Sequence, residues 1–128
     1  MSKKVLVVDD SASVRQQVNA ALQAAGFFVL EAVDGVDGIE CIASTPDLAL
    51  VICDVNMPRL NGLELLERIK GGGEYDELPI VMLTTEGQPQ LIQQAKIAGA
   101  KGWIVKPFKP DLLVSAVQKL TATDAKAA

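Results

Sequence analysis

Short apolar runs rich in β-branched residues alternate along the chain with longer stretches whose apolar positions recur at helical spacing. Val5-Leu6-Val7-Val8, Phe27-Phe28-Val29-Leu30, Leu50-Val51-Ile52-Cys53, Ile80-Val81-Met82-Leu83 and Trp103-Ile104-Val105 are the runs. Four of the five are apolar without alternation, as strands covered by helices on both faces are. The intervening patterns predict helices over 13–25, 35–44, 62–71, 88–99 and 109–121. In the first, Val14, Val18, Ala21, Leu22 and Ala25 fall on one stripe, with Ser13 and Gln16 spaced as a capping box and Gly26 as the stop. Leu112, Leu113, Ala116, Val117 and Leu120 form the equivalent stripe in the last. Pro89 suits the first turn of the fourth helix, and Gly71-Gly72-Gly73 ends the third in a loop.

Strict alternation of five strands and five helices predicts a doubly wound α/β sandwich of the flavodoxin-like type, with a five-stranded parallel sheet in the order 2-1-3-4-5. In such sheets ligands gather at the carboxyl ends of the strands. One domain is expected over residues 1–121, with 122–128 as a disordered tail.

Composition narrows the chemistry. The 128 residues are 49% apolar and 22% charged, which suits an ordinary globular protein with a sizeable core. The start, Met-Ser-Lys-Lys, runs straight into the first strand, leaving too short an apolar stretch for a signal peptide or a membrane span; a cytoplasmic location is expected. A net charge of −4 without a basic block argues against nucleic acid as a partner. Cys41 and Cys53 lack CxxC spacing and are read as small core residues. Arg15, Arg68, Lys96, Lys101, Lys109 and Lys119 are read as solvated charges. The chain has no histidine, which removes Ser-His-Asp and Cys-His hydrolases and histidine-ligated metal centres.

The residues that follow the strands carry the candidate chemistry. Asp9 and Asp10 end the first strand and Asp54 ends the third, so three carboxylates should converge on one edge of the sheet. Acids so close repel unless a cation neutralises them, and Mg²⁺, which takes few carboxylates and keeps several waters, suits the set, with Mn²⁺ as a substitute. Thr84-Thr85 and Lys106-Pro107 end the fourth and fifth strands. A hydroxyl and an ammonium on that edge are what a phosphoryl group on a carboxylate needs to offset its charge.

The strings VLVVDDS, VICDVNMPRLNGLELL, PIVMLTTEG and AKGWIVKPF, taken together, resemble the receiver domains of two-component signalling, and of these the stand-alone chemotaxis type. The resemblance covers essentially the whole chain. It implies Asp54 as phosphoacceptor, with Asp10, Asp54 and the main-chain carbonyl of Asn56 as metal ligands and Asp9 reaching the metal through water. It further implies Lys106 as partner of the phosphoryl oxygens and Thr84 as the hydroxyl that swings onto them. Trp103 takes the place of a switch aromatic, and Asn56 and Glu86 the two positions that tune the lifetime of the phosphorylated state. Met57, Pro58 and Gly62 would shape the loop after the acceptor, and Pro107 would follow a cis peptide.

The implied protein is not an enzyme but a phosphoacceptor with self-catalysed phosphotransfer and autodephosphorylation, working as a monomer. Its phosphodonor is a histidine kinase or a histidine phosphotransfer protein, and its output a protein target such as a flagellar or motility component, met through the face of the fourth helix, fifth strand and fifth helix. A phosphorelay shuttle or a phosphate sink would use the same pocket. An aspartyl-phosphate phosphohydrolase generally needs a second Asp two residues past the nucleophile, where this chain has Asn56, and the intact acceptor positions speak against an unphosphorylated scaffold.

Overall fold

Residues that lack polar alternation can be satisfied only between two layers, and every strand here but the fifth feeds two cores. The computed structural model describes residues 3–55, 60–75, 77–85 and 89–121. It contains β1 (Lys4–Val8), α1 (Ala12–Ala24), β2 (Phe28–Ala32), α2 (Gly35–Ser44), β3 (Leu48–Asp54), α3 (Gly62–Gly71), β4 (Ile80–Thr85), α4 (Pro89–Ala98), β5 (Gly102–Lys106) and α5 (Pro110–Thr121). All strand pairs are parallel, in the order β2-β1-β3-β4-β5. The expected fold class and strand order are both present.

On one face, Leu6, Val8, Val51, Cys53, Ile80 and Met82 pack with Ile42 of α2, Leu65, Leu66 and Ile69 of α3, and Ala95 of α4. On the other, Val5, Val7, Leu50, Ile52, Val81 and Leu83 meet Val18 and Leu22 of α1 and Leu113 and Val117 of α5. Successive residues of one strand thus enter opposite layers. Each fully buried Leu or Ile contributes roughly 2 kcal/mol over exposure, which makes the three inner strands the rigid base of the fold. Cys53 is fully buried and Cys41 packs partly buried against the first core.

Most element ends shift by one or two residues from the sequence reading, and three departures have a clear physical cause. Helix α1 starts one residue earlier than expected, because Ser11 rather than Ser13 is its cap: Ser11 Oγ accepts from the Val14 amide at 3.3 Å, and no box forms between Ser13 and Gln16. Gly26 stops the helix as expected, at φ 96°. Strand β2 runs from Phe28 to Ala32 rather than over 27–30, since Glu31, polar on an edge strand, is held by hydrogen bonds from Arg15 and Asn19. Phe27 instead packs against the α1/α5 core. Strand β5 alternates: Ile104 joins that core, while Trp103 and Val105 are exposed. Among the described residues, no helix is long and apolar enough to cross a membrane.

Candidate functional site

The order β2-β1-β3 reverses the direction of winding between β1 and β3, and a crevice opens at such a reversal beyond the strands' carboxyl ends. Asp9 and Asp10 follow β1, and Asp54 is the last residue of β3. One carboxylate oxygen from each lies within 4.8 Å of the others. Asp9 is fully buried, Asp54 is 4% exposed and Asp10 faces solvent. The backbone fixes the corner: the Asp9 amide donates to the Ala32 carbonyl at 3.1 Å, and Asp9 Oδ1 accepts from the Ser11 amide at 2.9 Å.

Lys106, the last residue of β5, reaches across the sheet's edge to both buried acids. Its Nζ lies 3.1 Å from Asp9 Oδ2 and 3.2 Å from Asp54 Oδ1. Burial pulls the Lys106 pKa down, but the charges of Asp54 and Asp9 outweigh it, so the ammonium is held above its ordinary value. Three carboxylates against one ammonium still leave two formal negative charges. Among the described residues, Asp9 Oδ2 is buried with only that ionic contact and no well-directed hydrogen bond. A divalent cation matches both the excess charge and the hard oxygen donors.

Thr84, on β4 one residue past the register partner of Asp54, is fully buried, and its Oγ1 has no hydrogen-bond partner among the described residues. The register sets Thr84 beside Val105 and Met82 beside Trp103, so these four side chains share the α4 face of the sheet, while Asp54, Leu83 and Ile104 belong to the α1/α5 face. Trp103 is 39% exposed, with Lys96 Nζ 5.6 Å from its ring centroid, so Lys96 is not simply solvated. The Lys106–Pro107 peptide is cis, as the resemblance implied.

The loop after Asp54 is closed by tight backbone approaches. The Val55 amide donates to Leu83, Gly62 to Val55 and Gly35 to Leu60, each at 3.0–3.1 Å. A methyl at Gly62 would strike the Asp54 carbonyl oxygen and lie 2.8 Å from Met82 Cε, which explains the glycine. The four residues within this loop, Asn56 and Met57-Pro58 among them, lie outside the described residues, as do Glu86 and residues 122–128.

Of the expected site residues, Asp9, Asp10, Asp54 and Lys106 are brought together, and Thr84 lies on the neighbouring strand one residue past the register partner of Asp54. Arg15 corrects the sequence reading: its side chain is 15% exposed and is bonded to the Asp9 carbonyl and to Glu31. The spacing of Arg15 and Asn19, four apart and facing the lone polar residue of β2, was the available signal. A cavity of about 280 Å³ lined by Ile42, Pro46, Tyr75, Leu78 and Thr121 lies at the opposite, amino-terminal ends of the strands and takes no part in this set.

Comparison with known proteins agrees with this geometry. A family model described as the response regulator receiver domain matches residues 5–118. The chain is 38% identical over 121 residues to a chemotaxis protein CheY homolog of Campylobacter jejuni, covering 94% of this chain and 93% of that protein. It is likewise 38% identical to chemotaxis protein CheY1 of Helicobacter pylori, over 94% of this chain and 98% of the relative. The solved structure of the chemotaxis response regulator CheY4 of Vibrio cholerae superposes with a TM-score of 0.85 at 42% identity, covering 94% of this chain and 99% of that one.

Proposed function

The chain belongs to the response regulator receiver domain family, and on that premise we propose that it is a stand-alone chemotaxis-type switch that carries a phosphoryl group on Asp54. The observation that supports this most directly is the buried Asp54 carboxylate 3.2 Å from the Lys106 ammonium, with two further acids beside it. Membership of this family points to a histidine kinase or histidine phosphotransfer protein as phosphodonor, and with no histidine in this sequence the phosphohistidine lies on that partner. The receiver unit extends over 1–121, the span that ends with α5.

In the forward step an Asp54 oxygen attacks phosphorus in line, the phosphorus–nitrogen bond to the donor's imidazole breaks with its electron pair going to that nitrogen, and the imidazole leaves neutral after taking a proton from solvent. The product is an acyl phosphate, the mixed anhydride of the Asp54 carboxyl and phosphate. Little covalent help is required; placement and charge neutralisation carry the reaction. Lys106 keeps its proton throughout, because Asp54 and Asp9 raise its pKa against the effect of burial, and it faces the transferred oxygens as a fixed positive charge. Asp10, Asp54 and the main-chain carbonyl of Asn56 would hold Mg²⁺ or Mn²⁺, with Asp9 acting through water. That ion supplies neutralisation of the phosphoryl oxygens. Asn56 and Glu86, the two positions that tune lifetime in such domains, would set how fast water hydrolyses the bond.

Thr84 then couples the site to the output face. Its unpartnered hydroxyl gains an acceptor once a phosphoryl oxygen is present, and the movement empties space on the face it shares with Trp103. Trp103 turns inward, altering the α4-β5-α5 surface offered to a motility target. Incubation with acetyl phosphate and Mg²⁺ tests the reading: one hydroxylamine-labile phosphate per chain is expected, absent in Asp54→Asn. Persistence of the label in that variant would remove Asp54 from the role.

A further inference from the structure

The corner bearing Asp9 and Asp10 is held from outside the site by a side chain that takes no part in the chemistry above. Arg15 Nη1 donates to the Asp9 main-chain carbonyl at 2.6 Å, and Arg15 Nε donates to Glu31 Oε1 at 3.0 Å. The second oxygen of Glu31 accepts from Asn19 Nδ2 at 2.8 Å. Arg15 and Asn19 stand four residues apart on α1, so both reach the same strand-edge acid.

The carbonyl bonded by Arg15 belongs to the peptide plane that joins Asp9 to Asp10. A peptide group is rigid, so fixing its oxygen fixes the direction in which the Asp10 backbone leaves the corner. The remaining Asp9 contacts, through its amide and Oδ1, hold the near side of that plane. Asp10 itself is solvent-exposed, which leaves the plane as the means by which its carboxylate is aimed.

We propose that Arg15 is a positioning residue for the divalent-cation site, aiming Asp10 through the Asp9 carbonyl, with Glu31 and Asn19 holding the guanidinium in place. The inference rests on the reading of the three acids as a cation site. Charge and geometry act in opposite directions here. As a bare positive charge, Arg15 repels an incoming cation, so its loss would tighten binding; as a clamp on the ligand corner, its loss weakens binding. Lysine keeps the charge but lacks the fork that spans a carbonyl and a carboxylate.

Calorimetric titration of the full chain with Mg²⁺ alone separates these effects. Arg15→Ala is expected to weaken binding roughly tenfold, the scale of outer-shell losses at metal sites. Arg15→Lys is expected to weaken it by at least half that factor, and Glu31→Gln, which releases the guanidinium without deleting it, in the same direction. Acetyl-phosphate labelling should need more Mg²⁺ in Arg15→Ala yet reach the wild-type rate at saturation. Wild-type or tighter Mg²⁺ affinity in Arg15→Ala, or an unchanged affinity in Arg15→Lys, overturns the proposal. Should Arg15→Ala fail to fold by circular dichroism, Glu31→Gln and Arg15→Lys decide by the same criterion. Asp10→Asn serves as the reference: if it binds Mg²⁺ as the wild type does, the cation-site reading itself falls, whereas loss there with intact Arg15 variants removes the positioning role alone.

Discussion

Thr84 carries a hydroxyl buried without a partner among the described residues, an arrangement that costs about 1–3 kcal/mol. Valine has nearly the same shape and no such group. Thr84→Val is therefore expected to stabilise the unphosphorylated protein by about 1 kcal/mol in urea unfolding, while abolishing the Trp103 response to phosphorylation. Equal stability of the two proteins would contradict the idea that the hydroxyl is held in reserve. Lys106 gives a pH-dependent counterpart. Its folded-state pKa is raised, so the proton binds more tightly in the folded than in the unfolded protein. Its contribution is complete below the ordinary lysine value and is lost as pH rises through the higher folded value. The stability difference between wild type and Lys106→Met should therefore stay flat near neutrality and shrink only as pH rises past the ordinary lysine value. At this scale the strand-end acids, Thr84 and Lys106 were legible because each directly follows an apolar run. Arg15 was only half legible: its spacing with Asn19 points to Glu31, but its bond to a main-chain carbonyl six residues away is recorded by no side-chain pattern.

The helices and strands show where local sequence is sufficient. Helices α2 and α3 coincide with their expected spans, since caps and apolar stripes agree; α3 opens with a reciprocal box in which Asn61 Oδ1 accepts from the Glu64 amide and Glu64 Oε1 from the Asn61 amide. The strand edges were harder. β2 extends through Glu31 because its charge is matched across α1, a contact between elements rather than within one. β5 was read as covered on both faces, yet half of its side chains are exposed, because α4 leaves Trp103 and Val105 uncovered. Two glycines of α3 make an element-scale test. Gly62→Ala would push a methyl against the Asp54 carbonyl and within 2.9 Å of Val55 Cα, and is expected to cost about 2–3 kcal/mol and slow acetyl-phosphate labelling. Gly71→Ala meets nothing within 4 Å and is expected to be neutral or stabilising by about 0.5 kcal/mol. Matched melting temperatures for the two variants would show that the backbone approach at Gly62 is not constraining.

For the whole molecule, strict strand-helix alternation foretold the doubly wound sheet, and the winding reversal between β1 and β3 then places the acids at one rim. Phosphorylation should be felt across that sheet. Beryllium fluoride with Mg²⁺ is expected to change Trp103 fluorescence, because an exposed indole with Lys96 above it moves to a drier setting; an unchanged emission spectrum at saturation would rule out a moving aromatic. The sheet also acts as a partition. Asp54 belongs to the α1/α5 side, whereas Thr84, Val105 and Trp103 belong to the α4 side. Substitutions at the exposed α4-side positions touch neither the acids nor the lysine and carry little folding cost. Recognition and chemistry can therefore drift separately over generations, and duplicated copies of such a chain can keep one reaction while acquiring different listeners.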